Sequence, residues 1–197
     1  TKEIEDALFR GEIDVAVHSL KDLPTAQPEG LALSAITKRD TPNDVLIARD
    51  EIDWRSFGAD ARIGTSSLRR RAQICLQNQQ VQIDELRGNV PTRIRKMAEG
   101  QYDAIVLAAV GVKRLELTPP WHRPLEFDEM LPAPGQGALG LQIRADDQEV
   151  HELLASIHDH ESAACCMAER SLLHGLGGGC QLPLGTIGEI ANGQLRL

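Results

Sequence analysis

Short apolar runs alternating with helical patterns constrain this chain more than any other feature. "YDAIVLAA" (102–109) reads as a continuous apolar strand, and "GVKRLEL" after it as a short helix. "ARIGTSSLRRRAQICLQ" reads as strand, turn and helix, with Thr65, Ser66 or Ser67 as the helix N-cap. "DVLIAR" and "VQIDELRG" are further strands. "NVPTRIRKMAEGQ" is a helix with Pro91 near its first turn and Gly100 at its end. Such alternation predicts an α/β unit with a mainly parallel sheet.

A different pattern flanks that unit. Residues 2–10 carry Ile4, Ala7 and Leu8 at helical spacing, with Gly11 as C-cap. "IDVAVHS" and "LALSAIT" are strands, separated by a stretch that Pro24 and Pro28 hold extended. "KRDTPND" and the Pro/Gly part of "LPAPGQGALGLQIRAD" read as linkers, the latter leading into a strand. From about residue 148 the chain is helical, with a break near His158–His160. It then enters the Gly-rich "GGGCQLPLGTIGEI" and ends in "IANGQLRL", which looks like a hairpin cut short. The opening residues read as the inside of a helix, so a fragment truncated at both ends is expected.

Three strands run into polar residues: His18, Ser19, Lys21 and Asp22; then Thr65, Ser66, Ser67, Arg69 and Arg70; then Lys113 and Arg114. In open α/β sheets, ligands bind outside the carboxyl ends of strands. A hydroxyl-rich turn at a helix N-terminus presents free N–H groups to an anion, and guanidinium forks clamp carboxylates or phosphates. An Arg triplet on a helix is otherwise a solvated face. The whole chain is acidic, with 29 Asp and Glu against 21 Lys and Arg, and its aromatic content is 3%. That balance disfavours a nucleic-acid binder, which needs a positive field and stacking platforms. A local basic cluster in an acidic chain suits a small anionic ligand.

Asp22, before Leu-Pro, reads alone as a turn or cap residue, and His18 as a satisfied strand-end histidine. Facing a basic site, Asp22 could stabilise a developing cation or pass a proton to a leaving amine. Cys75, Cys165, Cys166 and Cys180 show no CxxC pair and no zinc spacing, so no metal site is expected and a reduced setting fits. Cys75 reads as core. Cys180 follows Gly177-Gly178-Gly179, which would leave its thiol accessible as a nucleophile. No apolar run is long enough to span a bilayer.

The motifs "AVHSLKDLP", "IGTSSLRRRAQ", "LRGNVPTRIRK", "YDAIVLAAVGVKRL", "LPAPGQGALGLQIR" and "GGCQLPLG" together resemble the porphobilinogen deaminase family in order and spacing, over essentially the whole chain. The resemblance implies two periplasmic-binding-protein-like α/β domains with the active site in the cleft between them, and a small α+β C-terminal domain. Residues 1–40 and 136–156 would form domain 1, lacking its N-terminal part. Residues 41–135 would form domain 2, and 157–197 the start of domain 3. The implied activity is condensation of four porphobilinogen molecules, with release of ammonia, into hydroxymethylbilane by a cytoplasmic, monomeric enzyme. Cys180 matches the cysteine that carries a dipyrromethane cofactor as a thioether, and Asp22 the catalytic aspartate that also contacts the cofactor. Lys21, Ser67, Arg69, Arg70 and Arg87 match cofactor-carboxylate positions, with Thr65, Ser66 and Asn89 beside them. Arg93, Arg114 and Gln136 match substrate-binding positions. Without the family motifs, the basic strand ends would equally fit a non-enzymatic two-lobed binding protein for an anionic small molecule.

Overall fold

A computed structural model describes residues 2–177 and 182–197. The chain divides into two compact units: Thr1–Asp40 with Ala133–Leu182 and Thr186–Leu197, and Thr41–Pro132 with Pro183–Gly185.

In the first unit, α1 (Lys2–Phe9) leads to β1 (Ala16–Ser19), a single 3-10 turn (Leu20–Asp22) and β2 (Leu31–Ile36). The chain returns to this unit through β8 (Leu139–Arg144), α5 (Gln148–Ala155) and α6 (His160–Gly175). β8 lies between β1 and β2 and is antiparallel to both. Leu20, Leu23 and Ile36 pack with Ala138, Ala163 and Cys166 beside this sheet. Leu20 is wholly buried, and a fully buried Leu contributes about 1.5–3 kcal/mol, enough to pin the one-turn helix that carries Lys21 and Asp22. The expected helix break is real: α5 ends at Ala155, and Asp159 caps α6 by accepting the Ser162 N–H at 2.8 Å. β9 (Glu189–Ala191) and β10 (Gln194–Arg196) form a hairpin. Asn192 and Gly193, at φ 52° and 71°, supply the two left-handed residues that its tight turn requires.

The second unit is a five-stranded sheet with helices on both faces. It contains β3 (Asp44–Ala48), β4 (Arg62–Gly64), α2 (Leu68–Gln77), β5 (Gln82–Asp84), α3 (Val90–Ala98), β6 (Ala104–Ala108), α4 (Ala109–Arg114) and β7 (Trp121–Pro124). The strand order is β5-β4-β6-β3-β7. β6, and β3 after its opening Asp44, are apolar because both faces are covered. Leu46, Ala48, Ala104 and Val106 point to one core with Ile74 of α2, whereas Val45, Ile47, Ile105 and Leu107 point to the other with Met97 of α3.

Two features depart from the sequence expectation. The sheet is mixed: β4 pairs parallel with β5 and β6, but β3 is antiparallel to both β6 and β7. No α-helical crossover joins β3 to β4, and a crossover is what makes a connection parallel. β7 carries a proline and half-exposed side chains, so its "WHRP" gives no apolar signal; it is tolerated as an edge strand. Among the described residues, no helix is long and apolar enough to cross a membrane, and no group of three or more His, Cys, Asp or Glu side chains is placed to hold a metal.

Candidate active site

The basic cluster of the second unit begins where β4 ends. Gly64 lets the strand pass Tyr102, since a Cβ there would meet the Tyr102 ring at 2.8 Å. The next three residues build the turn. Thr65 is buried, and its Oγ1 accepts the Ser67 N–H at 3.2 Å. Ser66 donates its hydroxyl to the Leu86 carbonyl at 2.8 Å and accepts the Leu86 N–H at 3.1 Å, tying the turn to the chain after β5. Ser67 is the N-cap of α2, and its hydroxyl accepts the Arg70 N–H.

Arg69 and Arg70 then turn inward, so the triplet is not a solvated face; only its Arg71 is exposed. The cause is Asp44, wholly buried at the start of β3. Arg70 holds the Asp44 carboxylate by two bonds, Nε to Oδ2 at 3.0 Å and Nη2 to Oδ1 at 2.7 Å, and donates Nη1 to the Val106 carbonyl at 3.0 Å. Arg69 donates Nη2 to Asp44 Oδ2 at 2.8 Å and Nη1 to the Leu131 carbonyl. Two guanidiniums against one carboxylate leave a surplus positive charge at the strand ends. Burial pulls the Arg69 guanidinium below its ordinary pKa; Asp44 opposes this, and Arg70 adds to it. Arg69 Nε is buried and finds no protein acceptor among the described residues.

The next turn has the same construction. Asn89 caps α3 by accepting the Thr92 N–H at 3.0 Å. Arg93 is half-buried and donates Nε to the Gly88 carbonyl at 2.6 Å; burial first, and then Arg70, holds its guanidinium below the usual value. Arg87 is exposed and pairs with Glu85 at 2.9 Å. Arg114 lies exposed in the last turn of α4.

In the first unit, Lys21 donates Nζ to Gln136 Oε1 at 3.4 Å, and Gln136 is wholly buried. Asp22 ends the 3-10 turn, exposed. His18 is satisfied by Gln142 Oε1 at 3.0 Å and takes no part in this cluster.

The sequence profile described as "Porphobilinogen deaminase, dipyromethane cofactor binding domain" matches residues 1–152, and that of the "Porphobilinogen deaminase, C-terminal domain" matches 163–197. The chain belongs to the porphobilinogen deaminase family. It is similar over its full length to the porphobilinogen deaminases of Chlorobaculum tepidum, at 46% identity, and Desulforudis audaxviator, at 48%. It spans 63% and 64% of their lengths, less than two thirds. A putative methionine-binding lipoprotein from Bacillus subtilis shares the fold, with a TM-score of 0.51 at 10% identity over 83% of this chain and 78% of that one. This likeness accords with the periplasmic-binding-protein-like α/β class.

Within this family frame, Thr65, Ser66, Ser67, Arg69, Arg70, Arg87, Asn89, Arg93 and Arg114 lie in the second unit, and Lys21, Asp22 and Gln136 in the first. Cys180 lies outside the described residues. Cys75 is exposed rather than core: Ile74 takes the inward position on α2, and the next residue turns out to solvent. Sequence reasoning missed Asp44, Arg39, Glu169 and Arg170. A buried acid opening an apolar strand, in a chain with an Arg triplet, was the available signal for Asp44. Arg39 pairs with the wholly buried Glu169 at 2.6 Å, a contact across the fold with no local signature.

Proposed function

We propose that the protein is a porphobilinogen deaminase, a transferase that condenses four porphobilinogen molecules, with loss of ammonia, into hydroxymethylbilane for tetrapyrrole and haem biosynthesis. The observation that carries this reading is the buried Asp44–Arg69–Arg70 cluster, one positive charge in surplus, inside the span matched by the cofactor-binding-domain profile.

A dipyrromethane bears two carboxylates on each ring, and the donor set here fits it. The set holds paired guanidiniums, three consecutive hydroxyls and a buried Arg69 Nε with no protein acceptor among the described residues. Lys21, Thr65, Ser66, Ser67, Arg69, Arg70, Arg87 and Asn89 would hold the cofactor, with Cys180 as its thioether anchor. Bound there, it supplies the free pyrrole carbon to which substrate is added.

Asp22 is exposed at the end of its turn, so its carboxylate can meet a pyrrole N–H. It stabilises the cation that porphobilinogen becomes as ammonia leaves, and it can take up the proton released afterwards. Arg93 and Arg114 bind the acetate and propionate groups of the substrate. Gln136, wholly buried, serves the same substrate side and accepts from the Lys21 ammonium. On the same reading, residues 1–40 with 136–156 form domain 1, 41–135 domain 2, and 157–197 begin domain 3. The enzyme works as a monomer in the cytoplasm.

The test is to incubate the purified protein with porphobilinogen and follow ammonia and bilane. One ammonia per porphobilinogen consumed, with a linear tetrapyrrole as product, is expected. Binding of porphobilinogen without consumption would overturn the reading.

A further inference from the structure

We propose that Arg170 is a positioning residue for Asp22, holding the one-turn helix that presents it. The inference rests on the reading of Asp22 as the acid–base group. Arg170 lies in α6 and is 5% exposed. Its guanidinium donates Nη1 to the carbonyls of Leu20 at 3.1 Å and Leu23 at 2.8 Å, and Nη2 to that of Pro24 at 2.7 Å. These three carbonyls bracket Lys21 and Asp22. A single 3-10 turn has little stability of its own, so its orientation is set by what it is tied to. A planar fork of N–H donors reaches all three acceptors at once; a lysine ammonium is a point charge on a flexible stem and does not reproduce the fork.

The neighbouring residue completes the arrangement. Glu169 accepts the Gly135 N–H at 2.6 Å and is gripped by Arg39 through both oxygens, at 2.6 and 3.2 Å. Gly135 precedes Gln136, the acceptor for Lys21. Adjacent side chains on α6 therefore fix both sides of the Lys21–Gln136 contact, one through the 3-10 turn and the other through the turn before β8. α6 lies beyond the span matched by the cofactor-binding-domain profile, which ends at residue 152. The placing of the catalytic turn thus depends on a segment outside that match.

The experiment compares Arg170→Lys, Asp22→Asn and the double variant in steady-state turnover of porphobilinogen, with cofactor loading followed by intact mass. Arg170→Lys is expected to load normally, to lose at least tenfold in kcat with KM within twofold of wild type, and to shift the acid limb of the kcat–pH profile. The double variant is expected to be no slower than Asp22→Asn alone, because a misplaced carboxylate that is already absent costs nothing further. Wild-type kcat in Arg170→Lys, even with a lowered melting temperature, would overturn the positioning role while leaving Asp22 in place. Normal turnover in Asp22→Asn would instead overturn the underlying reading. If Arg170→Lys does not fold, hydrogen exchange on the wild type decides. The Leu23 amide should exchange in the same slow class as the α6 amides, and fast independent exchange would overturn the proposal.

Discussion

Replacing Asp44 with asparagine tests the electrostatic logic of the basic cluster, because the change keeps the shape and removes the charge. Asp44 is wholly buried and accepts guanidinium bonds at 2.8, 3.0 and 2.7 Å. The neutral amide of Asp44→Asn would leave Arg69 and Arg70 both charged, buried and without a counter-ion. Breaking one side of a buried ion network costs about 3–5 kcal/mol. Folded domains have only about 5–15 kcal/mol in total, so about a fifth of the stability or more should go. At about 2–4 °C per kcal/mol for a chain of this size, the melting temperature should fall by roughly 6–20 °C. Both tryptophans, Trp54 and Trp121, lie in the second unit, so tryptophan fluorescence in a urea titration reports on that unit alone. The midpoint should fall with the slope unchanged. Adding Arg70→Leu to Asp44→Asn should recover part of the loss, since one of the two uncompensated charges is removed. A loss below about 1 kcal/mol in Asp44→Asn, or a double variant that loses the sum of both single effects, would refute the reasoning.

Two further outcomes are expected. Glu129 accepts bonds from Arg123, from the Glu126 N–H and from Arg55, and chiefly Arg123 lowers its pKa from 4.5 to about 2. A depressed folded pKa gives stability that is present above about pH 4.5 and is lost as the pH falls toward 2; at about 1.4 kcal/mol per unit the loss is about 3 kcal/mol. Glu129→Gln should flatten the acid limb of the urea midpoint between about pH 6 and 2, and an unchanged slope would remove Glu129 from that dependence. Asp22→Asn should fold with the wild-type melting temperature, because Asp22 is exposed, and lose turnover by about a hundredfold or more. Near-normal bilane production in that variant would take Asp22 out of the mechanism.

Features written in local sequence were legible. The continuous apolar run of β6 and the shorter one after Asp44 in β3 read as strands, and Ser67 and Asn89 stand where their helices begin. Asn192-Gly193 turns the expected hairpin. What stayed hidden depends on tertiary partners. An Asp at the head of "DVLIAR" looks like a turn residue until Arg69 and Arg70 of α2 fold over it. Arg170 looks like a helix-surface cation, yet its acceptors lie 146 to 150 residues away. Cys75 departs from the core position expected of it because one helical step separates an inward Ile74 from an outward neighbour. The strand-end site was visible as a cluster of residue types, but the inward turn of two of its arginines was not.

On the proposed reading Cys180 carries the dipyrromethane, and the mass of the intact protein decides whether it does. Protein purified from cells that make porphobilinogen should be heavier than its sequence by a two-pyrrole adduct, and Cys180→Ala should have the sequence mass. An unmodified wild-type thiol, or an adduct that survives Cys180→Ala, would contradict the account.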